Sequence, residues 1–414
     1  MANPKLREVH AQPVLHRGQQ GVLLSDPLGI SQRGLFVPRA LSPVLTLLDG
    51  SRDLGMVRTG FELRTGIPIS TSIMEKLVSE LDNALLLNNE RFAQAHQVAI
   101  DDFRHAASRQ PLLIGKCYPE DPQEIRALLQ RYLDQAEKDD PQTTGEVQGL
   151  ISPHIDFARG GPIYARVWAK AASALEETEL VVILGTDHNG GEGEINLTRQ
   201  NYETPWGILP TARELVDEIA RLAGEARVFG NELHHRGEHS VEAALIWLHY
   251  LLGNRRCDIL PVLCGSFHSF IDQGESPLQG TSISATIEII RKAATDRRTL
   301  IVAAADLAHI GPAFGDHLPL DLAGRDRLAE QDQRLTDILR QGNAEAFFEE
   351  IRGEGDQRRI CGMPPIYITL SVLSEVKGLL TGYAQCPASD DGTSLVSICG
   401  MVYLSQPCQS APNR

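Results

Sequence analysis

The chain has 414 residues, of which 42% are hydrophobic and 22% charged, so it can bury the cores of two or three domains and is not a disordered, collagenous or coiled-coil protein. Its net charge is −15, from 39 Lys and Arg against 54 Asp and Glu. The acidic excess lies in residues 111–414, while residues 1–110 are nearly neutral, so no part carries the basic stripe that nucleic acids require as a partner.

The sequence also predicts a cellular location for the protein. It has no run of 18 consecutive apolar residues, and no hydrophobic signal segment follows residues 1–7, so we expect neither secretion nor a membrane partner. The 7 Cys are widely spaced without a CxxC pair, which suits reduced thiols better than a disulfide framework. We therefore expect a cytoplasmic protein.

Residues 1–90 are predicted to form a small α+β unit similar to a winged helix. Turn signals surround two short apolar strands, and three stretches have helical spacing. The strands are expected around 22–24 and 35–37, and the helices around 45–48, 54–63 and 73–85. Residues 91–110 indicate a helical linker.

Two segments of this unit resemble a known peptide-binding domain. Residues 41–50 read Leu-Ser-Pro-Val-Leu-Thr-Leu-Leu-Asp-Gly, and residues 81–87 read Leu-Asp-Asn-Ala-Leu-Leu-Leu. They resemble the PqqD-like domains, which bind peptide substrates for radical-SAM maturation enzymes, and the resemblance implies a peptide ligand at the N-terminal domain. Alternatively, Asp49 and Gly50 form only a turn that ends a helix, and the sequence favours neither interpretation.

Residues 111–405 alternate apolar strands with amphipathic helices, which predicts an α/β domain with a central, largely parallel sheet. Its first helix is expected to begin with Asp121 as N-cap and Glu124 as its capping-box partner, and to end before Asp139-Asp140-Pro141. Strands are expected at 147–151, 180–184, 259–263, 300–304 and 395–402. Residues 406–414 are a C-terminal tail.

Metal-binding residue types follow three of these predicted strands. His154 follows the first, Asp187 and His188 follow the second, and Asp306 and His309 follow the strand at 300–304. Because the carboxyl ends of parallel strands meet at one edge of a sheet, these side chains are expected to share a site.

Two further segments fit such a site. Glu238 and His239 immediately precede a helix at 241–252, for which Ser240 is the predicted N-cap. Cys361 lies in a Gly- and Pro-rich turn that enters another helix, where the positive helix end favours a thiolate and hence metal ligation. A small buried hydrophobic side chain is the alternative reading of Cys361.

These segments, in this order, resemble the Memo family over residues 111–405. The family has the class III extradiol dioxygenase fold, so the resemblance implies that fold, with His154, His188 and Cys361 as metal ligands. It also implies Asp306, His309 and His239 as catalytic residues. The motifs that carry it are Gly115-x-x-Tyr-Pro119, Pro153-His154, Gly185-x-x-His188, Tyr202-Glu-Thr-Pro-Trp-Gly207, Glu238-His239-Ser240, Asp306-x-x-His309 and Ile360-Cys361-Gly362.

The resemblance also bears on the metal and the partners. Extradiol dioxygenases hold Fe(II) with two His and one carboxylate, whereas a His₂Cys set is softer and suits iron or copper while tolerating zinc. Memo-like proteins of the AmmeMemoRadiSam type (system protein B) are associated with radical-SAM and AMMECR1-like proteins, which implies such partners here.

The sequence departs from the family at two places. His154 is followed by Ile-Asp-Phe instead of Ala-Gly-Tyr, and Asn189 replaces a second His. Asp156 from the first departure, Asp187 beside His188, and Glu238 are candidates for substrate binding or for supporting the ligands. The neighbouring His234 and His235 are expected to lie on a solvated loop.

Three functions remain open from the sequence. The first is an iron- or copper-dependent redox enzyme that acts with radical-SAM-type partners on a peptide or small molecule. The second is a zinc-dependent hydrolase in which Asp306 and His309 activate water. The third is a non-enzymatic adaptor that binds peptides.

Overall fold

The computed structural model describes residues 3–136 and 145–405. The chain divides into two compact units, Met1–Ala106 and Ala107–Arg414, and each has its own hydrophobic core. The predicted helix stop at Asp139-Asp140-Pro141 and the tail at 406–414 lie outside the described residues. Within the described ranges, no helix is long and apolar enough to cross a membrane.

The first unit packs three α-helices, a short 3-10 helix (Ser42–Leu47) where a helix was predicted around 45–48, and a three-stranded antiparallel sheet of order β1-β2-β3. The predicted hairpin is confirmed as β2 and β3, while β1 was not predicted because its mostly exposed sequence shows no apolar alternation. Each helix starts at a polar N-cap, as its sequence requires. The elements are β1 (His10–His16), β2 (Gln19–Ser25), β3 (Leu35–Pro38), α1 (Leu54–Thr65), α2 (Thr71–Asn83) and α3 (Glu90–His105).

The second unit is a mixed α/β structure. Asp121 caps its first helix by accepting from the N–H groups of Gln123 and Glu124. The helices are α4 (Pro122–Ala136), α5 (Phe157–Ala171), α6 (Arg213–Ala223), α7 (Glu225–Val228), α8 (His234–Gly237), α9 (Ser240–Leu252), α10 (His268–Gln273), α11 (Thr281–Asp296), α12 (Leu322–Leu339), α13 (Ala344–Gly353) and α14 (Met363–Leu373). The strands are β4 (Val147–Ser152), β5 (Leu180–Thr186), β6 (Ile195–Leu197), β7 (Tyr202–Thr204), β8 (Gly207–Leu209), β9 (Asp258–Cys264), β10 (Thr299–Ala304), β11 (His309–Ile310), β12 (Val376–Pro387) and β13 (Leu395–Ser405).

The central sheet has the order β11-β13-β4-β10-β5-β9-β6, with β12 paired to β13. Its four middle strands, β4, β10, β5 and β9, are parallel, and the strands on both flanks are antiparallel. Alternate residues of β5 enter two different cores, one with α4, α5 and α9 and the other with α6, α11, α13 and α14. The predicted α/β class with a largely parallel central sheet is therefore confirmed.

The register of the parallel strands aligns their carboxyl ends. Ala304 of β10 pairs with Ser152 of β4 on one side and with Gly185 of β5 on the other. The chain segments that leave these three strands consequently start from neighbouring points at one edge of the sheet.

Candidate metal centre

Two imidazoles and one thiol converge at this edge of the sheet. His154 lies two residues beyond β4, His188 two residues beyond β5, and Cys361 just before α14. One donor atom from each residue can be chosen so that all three atoms lie within 4.8 Å of one another. The structure thus brings together the three residues for which the family resemblance implied ligation.

His154 is held so that one ring nitrogen remains available. Its Nδ1 lies 3.0 Å from the carbonyl oxygen of Ala304, which can only accept, so Nδ1 carries the proton and Nε2 is the nitrogen that can bind a metal. Nε2 lies 3.4 Å from Sγ of Cys361. The backbone N–H of His154 donates to Asp306 Oδ1 at 2.9 Å, which fixes the loop after β4 against the end of β10.

His188 is oriented by the buried carboxylate of Glu238. Its Nδ1 lies 3.1 Å from both oxygens of Glu238, and its backbone N–H donates to Oε2 at 3.0 Å. Glu238 also accepts from the backbone N–H groups of His239 and Ser240. Burial alone would raise the pKa of Glu238, but His188 and His239 hold it well below its ordinary value. The carboxylate therefore fixes the His188 ring and leaves Nε2 for a metal.

The Cys361 loop lies directly against the end of β10. The N–H of Gly362 donates to the carbonyl oxygen of Asp306 at 3.1 Å, and the Thr186 hydroxyl donates to the carbonyl of Cys361 at 3.0 Å. A Cβ on Gly362 would lie only 2.4 Å from the Asp306 carbonyl oxygen, so this approach requires glycine.

The charges of the site favour the ligand form of Cys361. Burial alone would raise the pKa of its thiol, but the imidazoles of His154 and His309 hold that pKa well below its ordinary value. For His154, burial lowers the pKa, and Asp306 and Cys361 outweigh it and raise the pKa to about 9, so a metal ion would displace a proton from Nε2 on binding. A thiolate is the form of cysteine that binds metals.

The predicted catalytic residues surround this cluster. The His239 ring stacks on that of His188, with centroids 4.8 Å apart and an interplanar angle of 14°, and its centroid lies 5.4 Å from that of His154. Asp306 is buried, and its Oδ2 lies 3.6 Å from Nε2 of His154. His309 sits in β11 with its ring edge-on to Phe314, and its charge acts on Cys361.

The acidic residues named as substrate-binding candidates already have partners. Asp156 caps α5 by accepting from the N–H of Arg159 and also pairs with the Arg159 guanidinium. Asp187 is buried and accepts from the ring of His234 and the side-chain amide of Asn196. In this arrangement they support the protein around the cluster, as Glu238 does.

Two predictions near the site are wrong. His234 and His235 were expected on a solvated loop, but His235 is fully buried, and the His234 side chain is 8% exposed and bonded to Asp187. They belong to the short helix α8, whose burial depends on long-range contacts. Ser240 was the predicted N-cap, but it is the first residue of α9, and its hydroxyl donates to the carbonyl of Thr186.

Sequence reasoning also missed a buried ion pair beneath the site, between Arg109 and Glu242. Glu242 accepts in addition from the hydroxyl of Tyr118, which belongs to the Gly-x-x-Tyr-Pro motif. The available signal was a glutamate three residues after His239 on a largely apolar helix, because such a charge needs a partner when it is buried.

The donor set fits a single transition-metal ion. Nitrogen and sulfur ligands bonded at about 2.0 and 2.3 Å to one tetrahedral ion lie about 3.5 Å apart. The 3.4 Å between His154 Nε2 and Cys361 Sγ matches this spacing. Both imidazoles also hold their other nitrogen against an acceptor oxygen, as metal-bound histidines do.

The fold and the cluster define an α/β protein with a candidate His₂Cys metal centre at the carboxyl ends of its parallel strands. The family model described as Memo-like protein matches residues 109–402. The chain therefore belongs to the Memo family, as its motifs predicted. The PqqD-like character of residues 1–90 stays a prediction.

Curated relatives carry the same family name. A MEMO1 family protein of Aquifex aeolicus is 27% identical over 411 residues, covering 97% of this chain and 99% of its own. One of Methanococcoides burtonii is 24% identical over 286 residues, covering 69% of this chain and 94% of its own. One of Thermus thermophilus is 27% identical over 319 residues, covering 76% of this chain and 88% of its own. The Aquifex match is long enough to include most of the first unit.

Proposed function

We propose that His154, His188 and Cys361 bind one iron or copper ion and that the protein is a metal-dependent redox enzyme. The observation that carries this proposal is the convergence of three donor atoms within 4.8 Å of one another. The carbonyl of Ala304 and the carboxylate of Glu238 fix the two imidazoles in the tautomer that ligation requires.

The choice of metal follows from the donor types. Two imidazoles and a carboxylate are typical of Fe(II) oxygenases, and a thiolate in place of the carboxylate makes the set softer. The carboxylate of Asp306 nevertheless lies next to the cluster, with Oδ2 3.6 Å from His154 Nε2. A hard oxygen donor is therefore adjacent to the softer thiolate. This mixture suits iron or copper, both of which have one-electron chemistry.

When bound, the ion would supply one-electron redox chemistry. The protein's own residues then have separate tasks. Glu238 and Asp306 hold the loops that carry His188 and His154. The His239 side chain is 40% exposed and stacked on His188, so it is placed to bind a substrate or exchange a proton with it.

We also propose that the protein acts with radical-SAM and AMMECR1-like proteins on a peptide or small molecule, with a peptide bound by the N-terminal domain. The support is the resemblance of residues 41–50 and 81–87 to PqqD-like domains. Co-expression with a radical-SAM protein of the same genome tests the association. Peptide binding that persists without residues 1–90 would contradict the role of this domain.

Metal analysis of protein purified without oxygen tests the proposed centre. Wild type is expected to hold about one equivalent of iron or copper, and His154→Ala, His188→Ala and Cys361→Ala are expected to lose it. His105→Ala on α3 and Cys257→Ala before β9 are matched controls that should keep it.

The other results of this experiment point to other functions. One equivalent of zinc without a redox-active signal would favour a hydrolase in which Asp306 and His309 activate water. Absence of metal from wild type, with peptide binding that survives His154→Ala, would favour an adaptor. Full occupancy in all three ligand variants would overturn the assignment of the site.

A further inference from the structure

A buried guanidinium lies behind the metal centre. Arg109 is 1% exposed, and its Nε donates to the carbonyl oxygen of His235 at 3.0 Å. Its Nη2 donates to the carbonyl oxygen of Glu238 at 2.6 Å, and its Nη1 pairs with the carboxylate of Glu242. One side chain therefore binds the chain at 235, at 238 and at 242.

Both carboxylate oxygens of Glu242, the partner of this guanidinium, accept hydrogen bonds. Its Oε2 accepts from Arg109 and from the N–H of Leu112 at 2.8 Å. Its Oε1 accepts from the N–H of Leu113 at 2.8 Å and from the hydroxyl of Tyr118 at 2.6 Å. The carboxylate is 1% exposed, so these four donors replace the water it has lost.

His235 completes the surroundings of Arg109 without adding a second positive charge. Its Nε2 donates to the carbonyl of Asn196 at 3.0 Å, and its Nδ1 accepts from the hydroxyl of Tyr202 at 2.7 Å. Burial lowers the pKa of His235 to about 4, so this ring is neutral. The Tyr202 ring also packs against the guanidinium, 5.3 Å from its centre.

The segment that Arg109 holds is the one that orients a ligand. The Glu238 side chain fixes Nδ1 of His188, and the Glu238 backbone carbonyl is fixed by Arg109. A shift of this backbone would move the carboxylate away from His188 and from the N–H of His239. Arg109 contacts none of the three proposed ligands and acts on His188 only through Glu238.

We propose that Arg109 is a positioning residue of the metal centre, which sets the metal affinity through Glu238 and His188. This inference rests on the proposed metal binding. The planar guanidinium binds two carbonyls and a carboxylate at once, which the single ammonium of lysine cannot reproduce. Arg109→Lys therefore keeps the charge beside Glu242 while removing the fork that holds residues 235 and 238.

The test uses Co²⁺ as a probe, because its absorption spectrum reports the ligands and their geometry. Arg109→Lys in the full chain is expected to bind Co²⁺ at least about tenfold more weakly than wild type, as loss of an outer-shell partner does. It is also expected to change the cobalt spectrum. Arg255→Lys is the control, since Arg255 also joins three acceptors, the carbonyls of Leu175, Leu251 and Leu252, but lies at the other end of the sheet.

The results separate the possible failures. A folded Arg109→Lys with wild-type affinity and spectrum would overturn the positioning role, and equal losses in Arg109→Lys and Arg255→Lys would reduce it to general stability. If Arg109→Lys does not fold, Tyr118→Phe decides, because it removes one donor from Glu242 and is expected to weaken Co²⁺ binding by a smaller factor. Absence of Co²⁺ binding in wild type would instead refute the proposed metal centre.

Discussion

Cys361 is the residue that makes the proposed centre soft. Cys361→Asp would give two imidazoles and a carboxylate, the set typical of Fe(II) oxygenases. We expect this variant to keep Fe(II) binding and to lose most of its affinity for Cu(I), whereas Cys361→Ala loses both. Competition with a chelator for each ion measures the change. Unchanged Cu(I) affinity in Cys361→Asp would contradict ligation by the thiolate, and Cys257→Ala, buried before β9, is the control.

His235 gives the fold a sensitivity to acid. Burial, with smaller effects of His234 and Arg109, lowers its pKa to about 4 from the ordinary 6.5, although the Asn196 carbonyl and Asp187 oppose this. Between these values the unfolded chain binds a proton that the folded chain does not. The free energy of unfolding therefore rises with pH between about 4 and 6.5. At pH 5 the neutral His235 ring makes it about 2 kcal/mol lower than it is well above pH 6.5.

Comparison with a variant isolates this contribution. His235→Asn keeps an acceptor for the Tyr202 hydroxyl but cannot titrate. The free energy of unfolding is measured in urea at pH 7 and at pH 5 for both proteins. On lowering the pH from 7 to 5, we expect its decrease to be about 2 kcal/mol smaller in the variant than in wild type. An equal fall in both proteins would show that His235 is not the group responsible.

Site residues could be predicted from the sequence where a local sequence pattern fixes their position, and could not where their position depends on contacts between distant parts of the chain. His154, His188 and Asp306 each follow a recognisable strand, and the parallel register brings them together. The contacts of Arg109 join residues more than 120 positions apart in sequence, and no local pattern marks them. The burial of His235 depends on the same long-range packing.

At the scale of elements, the junction between β10 and α14 positions Cys361. A Cβ on Gly362 would lie 2.4 Å from the Asp306 carbonyl oxygen and 2.7 Å from the Cβ of Ala305. We expect Gly362→Ala to cost about 1–3 kcal/mol in the free energy of unfolding and to weaken metal binding, because the loop must move away from β10. Chemical denaturation and metal titration measure the two effects.

The matched control lies on the preceding helix. Gly353 ends α13, and a Cβ there would meet no atom within 4 Å. Gly353→Ala should be neutral or stabilise the protein by up to about 1 kcal/mol, since alanine favours helices. Equal effects of the two substitutions would contradict the close approach of Gly362 to β10.

The elements themselves could be predicted where their apolar pattern is strong. The buried parallel strands β4, β5, β9 and β10 have largely apolar sequences, and all four were predicted. Strand β12 was not, because most of its residues are only partly buried and include two glycines. The predicted start of α9 was one residue too late, because the Ser240 hydroxyl donates to the carbonyl of Thr186 at the end of β5 instead of capping the helix.

At the scale of the whole molecule, the second unit contains everything that the proposed centre requires. Both of its core clusters lie within Ala107–Arg414, as do the ligands and their supporting residues. The relative from Methanococcoides burtonii aligns over 94% of its own length with only 69% of this chain, so it has about the length of this unit alone. We therefore expect the second unit to fold without residues 1–106.

Two truncations that differ by four residues test this independence together with the role of Arg109. A chain that begins at residue 107 should fold and bind metal like the full protein. A chain that begins at residue 111 loses Arg109 and leaves the Glu242 carboxylate buried without its cation, which should cost about 3–5 kcal/mol in the free energy of unfolding and most of the metal affinity. Urea denaturation and metal titration distinguish the two. Equal behaviour of both chains would show that the ion pair is dispensable, and failure of the longer one would show that the first unit is needed for folding.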